Sequence, residues 1–290
     1  MYFVEKRSEL MRKDGKKLKK LDAISKAMPM IMPHRYDCMN MITLDIPLEP
    51  MREYVNKRRL SELPVSHLAI IIAAFVRTVS QYPLLNRFVV NKKFYARNEI
   101  TVSMVVLKKG TEHGEMNKMY FEPDDTIDDV VKKINTYIED NREEGGEGNA
   151  TDKLLEVLSK IPGLFSFGIG VLKLMDKFGW LPKSIIDASP FHASMLITNL
   201  SSIRTNHIYH HVYDFGTTSL SLAMGNYRYK IEKKSEEVNC IKTLPLGLVM
   251  DERIASGADF ALAFKLFEKY CKNPELLEVK PEKVVLDPNI

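Results

Sequence analysis

The sequence predicts a mixed α/β (α+β) two-layer sandwich. Three observations point there. Helical and strand-like segments interleave without the strict βαβ alternation of a doubly wound sheet. The 290 residues are 45% hydrophobic and 28% charged with a net charge of +4, the balance of a folded chain with ample volume for a core. One segment, His67–Tyr82, is apolar nearly all round and reads as a buried helix.

In chain order, residues 1–20 are basic on balance, with eight Lys and Arg from Lys6 to Lys20 against Glu5, Glu9 and Asp14. They read as a basic arm touching a phosphate-bearing ligand or acidic lipid surface, or as a solvated tail or surface helix. Residues 21–290 form a single domain. From Met39 the chain alternates like a strand until Pro47 and Pro50, and Met51–Arg59 is helical. Ser66 is placed to cap the buried helix, which Pro83 ends. Arg87–Val90, Lys93–Arg97 and Thr101–Leu107 read as strands, with Asn91 in the turn between the first two. Thr126 with Asp129 makes a capping-box start for a helix carrying Ile127, Val130, Val131, Ile134 and Ile138. Asn141–Ala150 is an acidic, glycine-rich loop.

An apolar insertion follows at about residues 151–187. A charged helix (Asp152–Lys160) leads into residues 161–182, where Leu164, Phe167, Val171, Met175 and Phe178 share a helical face. That face suits an apolar lid, a peripheral membrane contact, or a core helix pair closed by glycines. Gly168 and Gly170 lack the third glycine and the preceding strand of a dinucleotide fingerprint. Strand-like segments then run over Ser194–Asn199, His207–Tyr213, Ser219–Met224 and Leu244–Met250. A final helix, Ala258–Cys271, has Phe260, Phe264 and Phe267 in one stripe.

Several classes are excluded by the same reading. No apolar run reaches the roughly 18–20 residues of a spanning helix, and the charged N-terminus has no signal-peptide core. Three cysteines (Cys38, Cys240, Cys271) are odd in number and lack metal-ligand spacing, which fits a reducing cytoplasm. The charge excess is too small to argue for nucleic acid.

The informative motif is Leu244–Leu277, in which Pro245, Leu246, Asp251, Arg253, Gly257, Ala258 and Pro274 keep a recognisable spacing. It resembles the end of the catalytic domain of the 2-oxoacid dehydrogenase dihydrolipoamide acyltransferases, which share the chloramphenicol acetyltransferase fold. Other segments match in the same order. These are Asp22–Met28, Met32-Pro33-His34, the Val65–Asn86 helix with Pro83, Leu85 and Asn86, Ile197–Leu200, and Ala223–Gly225. The likeness covers about Leu21 to Leu277; residues 1–20 and the apolar insertion lie outside it.

The resemblance implies a chloramphenicol acetyltransferase-like mixed sheet, a homotrimer with sites between subunits, and acyl transfer from an acyl thioester such as acyl-coenzyme A. In that family a histidine takes the thiol proton and a hydroxyl from the facing subunit stabilises the oxyanion. Carried over, the hydroxyl is Thr198, the histidine position is Glu252 and the aspartate position is Ser256. A thiol loses its proton to histidine at a cost of about 2.7 kcal/mol and to glutamate at about 5.7 kcal/mol, from reference pKa values. Glu252 is therefore a base weaker by roughly 3 kcal/mol unless burial raises its pKa. His192, six residues before Thr198 and on or near the same strand, is the substitute base if there is one; it also reads as a satisfied structural histidine.

The His210–Asp214 spacing imitates the family motif but reads as coincidence on a surface hairpin, and His34 reads as a packing residue. His207, His210 and His211 lack a ligand to complete a zinc set, so no metal is expected. The sequence shows no lipoyl attachment site and no subunit-binding domain, which a multienzyme component would carry, so a stand-alone relative of the catalytic domain is expected. Two functions remain: a coenzyme-A-dependent acyltransferase with a degenerate site, or a catalytically inactive trimeric binding or scaffold protein of the same fold.

Overall fold

A computed structural model describes residues 12–107, 114–142, 163–234 and 237–290. The predicted charged helix at 152–160 and most of the acidic loop lie outside those residues. Two sheets are present among them. A seven-stranded mixed sheet carries β2 (Met39–Pro47), β10 (Glu237–Asp251), β8 (Leu220–Met224), β7 (Met195–Asn199), β5 (Ile100–Leu107) and β6 (Gly114–Phe121), in that spatial order. β9 (Arg228–Lys234) pairs with the first half of β10. β7 runs parallel to both neighbours and the other pairings are antiparallel. The small sheet is β1 (Gly15–Lys17), β4 (Lys93–Arg97) and β3 (Arg87–Val90), in the order β1-β4-β3.

The large sheet has one apolar face. Met195, Ile197, Leu220, Leu222, Met224, Leu246, Leu248 and Met250 alternate onto it and join the main core. The helices α2 (Leu48–Arg58), α3 (His67–Gln81), α4 (Ile127–Arg142) and α7 (Gly257–Lys272) form the second layer. α3 is the central one, buried at nearly every position and touching α2, α4 and α7. Its Ser66 cap accepts from the Ala69 amide as the sequence suggests. The Thr126–Asp129 capping box at α4 forms in both directions. Asn91 and Lys92 take left-handed backbone in the turn between β3 and β4.

The N-terminal segment departs from the reading as an arm. From Arg12 it is built into the domain: Gly15–Lys17 pairs with Tyr95–Arg97. Arg12 is buried, held by Asp14 at 2.8 Å and by Asp176 at 2.6 Å. Asp176 lies on α5 (Leu164–Phe178), the described part of the apolar insertion. The helix expected to pair with α5, at 152–160, lies outside the described residues, and α5 itself is largely exposed. A Cβ on Gly170 would meet nothing within 4 Å, and Phe165, Phe167, Val171, Leu174 and Phe178 are exposed, Phe167 to 69%. Beyond Gly179, Trp180 stacks on Phe178 with centroids 5.1 Å apart. Short α6 (Lys183–Ala188) then leads to β7, and α1 (Ala23–Ile31) starts on an Asp22 cap.

Candidate active site

The polar face of the large sheet carries the first predicted site residue. Thr198 stands near the end of β7, opposite Ala223, which faces Gly247, which faces Thr43. Small side chains in this row leave space for backbone to cross the sheet. Residues 205–213 do so without regular structure, so the strand and hairpin expected at His207–Tyr213 do not form. A Cβ at Gly247 would fall 2.1 Å from the Ile208 carbonyl oxygen, and one at Gly225 would fall 2.3 Å from the His207 amide. His207 Nε2 meets Thr43 Oγ1 at 3.0 Å, and Tyr209 shares that hydroxyl at 2.6 Å. Burial, then Arg228, depresses the His207 pKa. This His–Thr–Tyr group was missed in the sequence; one glycine inside a strand and another just past a strand end were the available signal. Among the described residues the Thr198 hydroxyl has no hydrogen-bond partner in the protomer and is partly exposed.

Glu252 lies at the other end. Asp251 closes β10 opposite Met39, so Glu252 is five residues past the Gly247 row, about 17 Å at roughly 3.3 Å per residue. Thr198 and Glu252 therefore do not meet within one protomer. Glu252 is half-buried; its amide donates to the Cys38 carbonyl and its Oε2 accepts from Asn40 at 2.6 Å. Next to it Arg253 forks onto Asp251 at 2.8 and 2.7 Å and donates to the Met32 carbonyl. Ser256 caps α7: its hydroxyl accepts from the Asp259 amide at 3.2 Å and donates to the Asp259 carboxylate at 2.6 Å. That engagement gives Ser256 a structural task in the protomer.

His192 is not on the strand of Thr198. β7 begins three residues later, at Met195, and His192 is buried in the preceding loop among charged groups. Its Nδ1 bonds Ser189 Oγ at 2.8 Å, and its Nε2 is 3.3 Å from Asp176 Oδ1, off the line of a good hydrogen bond. Burial pushes the imidazole pKa down against the pull of Asp176. Burial alone would raise Asp176, but His192 and Arg12 outweigh it and hold it at about 2. His192 is thus an interior group engaged by Ser189 and facing Asp176 on α5, away from Thr198.

The thiols offer no alternative nucleophile at this end. Burial, then the charge of Asp251, pushes Cys38 up to about 12, and burial raises Cys271 as well. Among the described residues no group of three or more His, Cys, Asp or Glu gathers as a metal site, and no helix is long and apolar enough to cross a membrane.

No family model and no curated protein matches the chain by sequence. Solved structures match it by shape. A probable dihydrolipoamide acetyltransferase from Listeria monocytogenes 4b F2365 superposes with a TM-score of 0.56 at 12% identity, covering 94% of this chain and 99% of that one. The Azotobacter vinelandii dihydrolipoamide acetyltransferase gives 0.55 at 8%, covering 90% and 94%. A chloramphenicol acetyltransferase gives 0.54 at 11%, covering 88% and 99%. With its mixed sheet backed by α3 and α7, and Thr198 and Glu252 at opposite ends, the chain has the chloramphenicol acetyltransferase-like fold of the dihydrolipoamide acyltransferase catalytic cores.

Proposed function

We propose that the protein transfers an acyl group from a thioester, coenzyme A by resemblance, to a thiol or other acceptor, at a degenerate site shared between subunits of a homotrimer. The observation that carries this is the placement of Thr198: an unpartnered hydroxyl at a strand end, on a polar sheet face, in an acyltransferase fold. The Azotobacter structure belongs to an investigation of a serine, a histidine and an asparagine in that enzyme's mechanism, the last two being four residues apart. Glu252 and Ser256 keep that four-residue interval here. In this reading Thr198 donates to the oxyanion as the thioester carbonyl is attacked. Glu252 of a neighbouring protomer accepts the proton of the attacking thiol, at the penalty of a weak base.

The separation of Thr198 and Glu252 along the sheet supports a site completed by a second copy, as does the ribbon that β9 forms with residues 237–243 of β10. Tyr229, Ile231 and Val238 on this ribbon are exposed, Ile231 to 71%. The inactive binding or scaffold reading has its own support in the engagement of Glu252 by Asn40 and of Ser256 by Asp259.

Acyl-CoA turnover with small thiols separates the two readings. Thr198→Val is expected to lower turnover by about a hundredfold, the usual loss for one oxyanion donor. Glu252→His is expected to raise it by about a hundredfold, following the roughly 3 kcal/mol gained in basicity. Acyl-CoA binding without turnover in all three proteins supports the inactive reading instead.

A further inference from the structure

At the Glu252 end of the molecule, α5 closes a recess of about 410 Å³ against residues 29–35, the turn between β3 and β4, and the chain at 214–216. Five cationic side chains line it: Arg35, Lys92, Lys173, Lys177 and Arg253. Two carboxylates face it, Asp176 and Asp214. Asp176 is already neutralised by Arg12, and Asp214 is exposed at the rim. Arg253 is likewise spoken for by Asp251.

Arg35 is different. It is 5% exposed, and its guanidinium meets only the Thr218 carbonyl at 2.5 Å and the Gly216 carbonyl at 2.7 Å. Among the described residues no carboxylate lies within ion-pair distance of it. Asp251 and Asp176 act on it only from beyond contact, so burial still disfavours its charge, and an anion entering the recess would offset that penalty. Lys173 and Lys177 are one helical turn apart on α5, a spacing at which like charges repel unless something negative lies between them. Guanidinium forks and ammonium groups together are the donor set that recognises phosphate oxygens.

We propose that this recess binds a phosphate-bearing anion. The available cations come from both parts of the chain: Arg35 from the acyltransferase-like region, and Lys173 and Lys177 from the insertion outside it. The site rests on these side chains and not on the proposed acyl transfer, and its test reads binding rather than turnover. The phosphate could belong to a soluble compound or to a lipid headgroup, and the two are separated by probe.

Calorimetry of the full chain with pyrophosphate is expected to show saturable binding of one anion per protomer that weakens with salt. Lys173→Glu/Lys177→Glu, which changes two exposed side chains, should weaken it at least tenfold while the circular dichroism spectrum stays unchanged. Arg35→Gln should do the same where it folds. If pyrophosphate gives no heat but vesicles containing phosphatidic acid pellet the wild type and not the double variant, the headgroup is the source and the site stands. The proposal is overturned if neither probe binds, or if both variants bind as the wild type does.

Discussion

At the scale of single residues, the buried charge cluster around Asp176 sets a pH dependence. The folded-state pKa of His192 lies below its unfolded value, so the unfolded chain binds more protons once pH falls below about 6.5. Its contribution to stability is therefore complete above that pH and declines on acidification. Asp176 acts in the same direction lower down, with stability lost as pH falls from about 4 toward 2. Denaturant unfolding between pH 5 and 7 should show a shallower pH slope in His192→Gln than in the wild type; equal slopes would contradict the assignment. The sequence offered His192 both as a substitute base and as a structural histidine, and its burial beside Ser189 fits the second. Asp176, the group facing its Nε2, lies on α5, and no local sequence pattern pairs the two. Thr198 and Glu252 stand out in the sequence only because neighbouring residues keep the motif spacing.

At the scale of elements, caps and glycines carry the predictions. Ser256→Ala removes the reciprocal bond with Asp259 at the start of α7 and should lower stability by about 1 kcal/mol. Asp259→Ala should not add fully to it in a double-mutant cycle by chemical denaturation. On α5, Gly170 sits mid-helix with open space around it, so Gly170→Ala should stabilise by roughly 0.5–1 kcal/mol, read by the same method. Element legibility followed periodicity. α3, α4 and α7, with strong apolar stripes and caps, matched their predicted spans closely. β6 escaped because GEMNKMYF mixes polar and apolar residues without clean alternation on a sheet edge. β1 escaped because three residues, GKK, carry no pattern at all. The 207–213 segment misled because β-prone residues laid across a sheet look like a strand in it.

At the scale of the whole molecule, the two-layer fold followed from segment order, whereas the proposed trimer would rest on surfaces that a single sequence does not display. Sedimentation equilibrium should give three times the 33.3 kDa protomer mass, and Tyr229→Glu/Ile231→Glu on the exposed ribbon should shift it toward one. A wild type that sediments as a monomer would remove the basis for a shared site. The stack of Trp180 on Phe178 has a separate use. Trp180 is the sole tryptophan, and it sits at the end of the helix that Arg12 ties to the small sheet. Its intrinsic emission is thus a local gauge of whether that helix stays seated. Ellipticity in the far ultraviolet follows the bulk of the molecule. Recorded together during heating, the two signals would date the release of the insertion relative to collapse of the sheet.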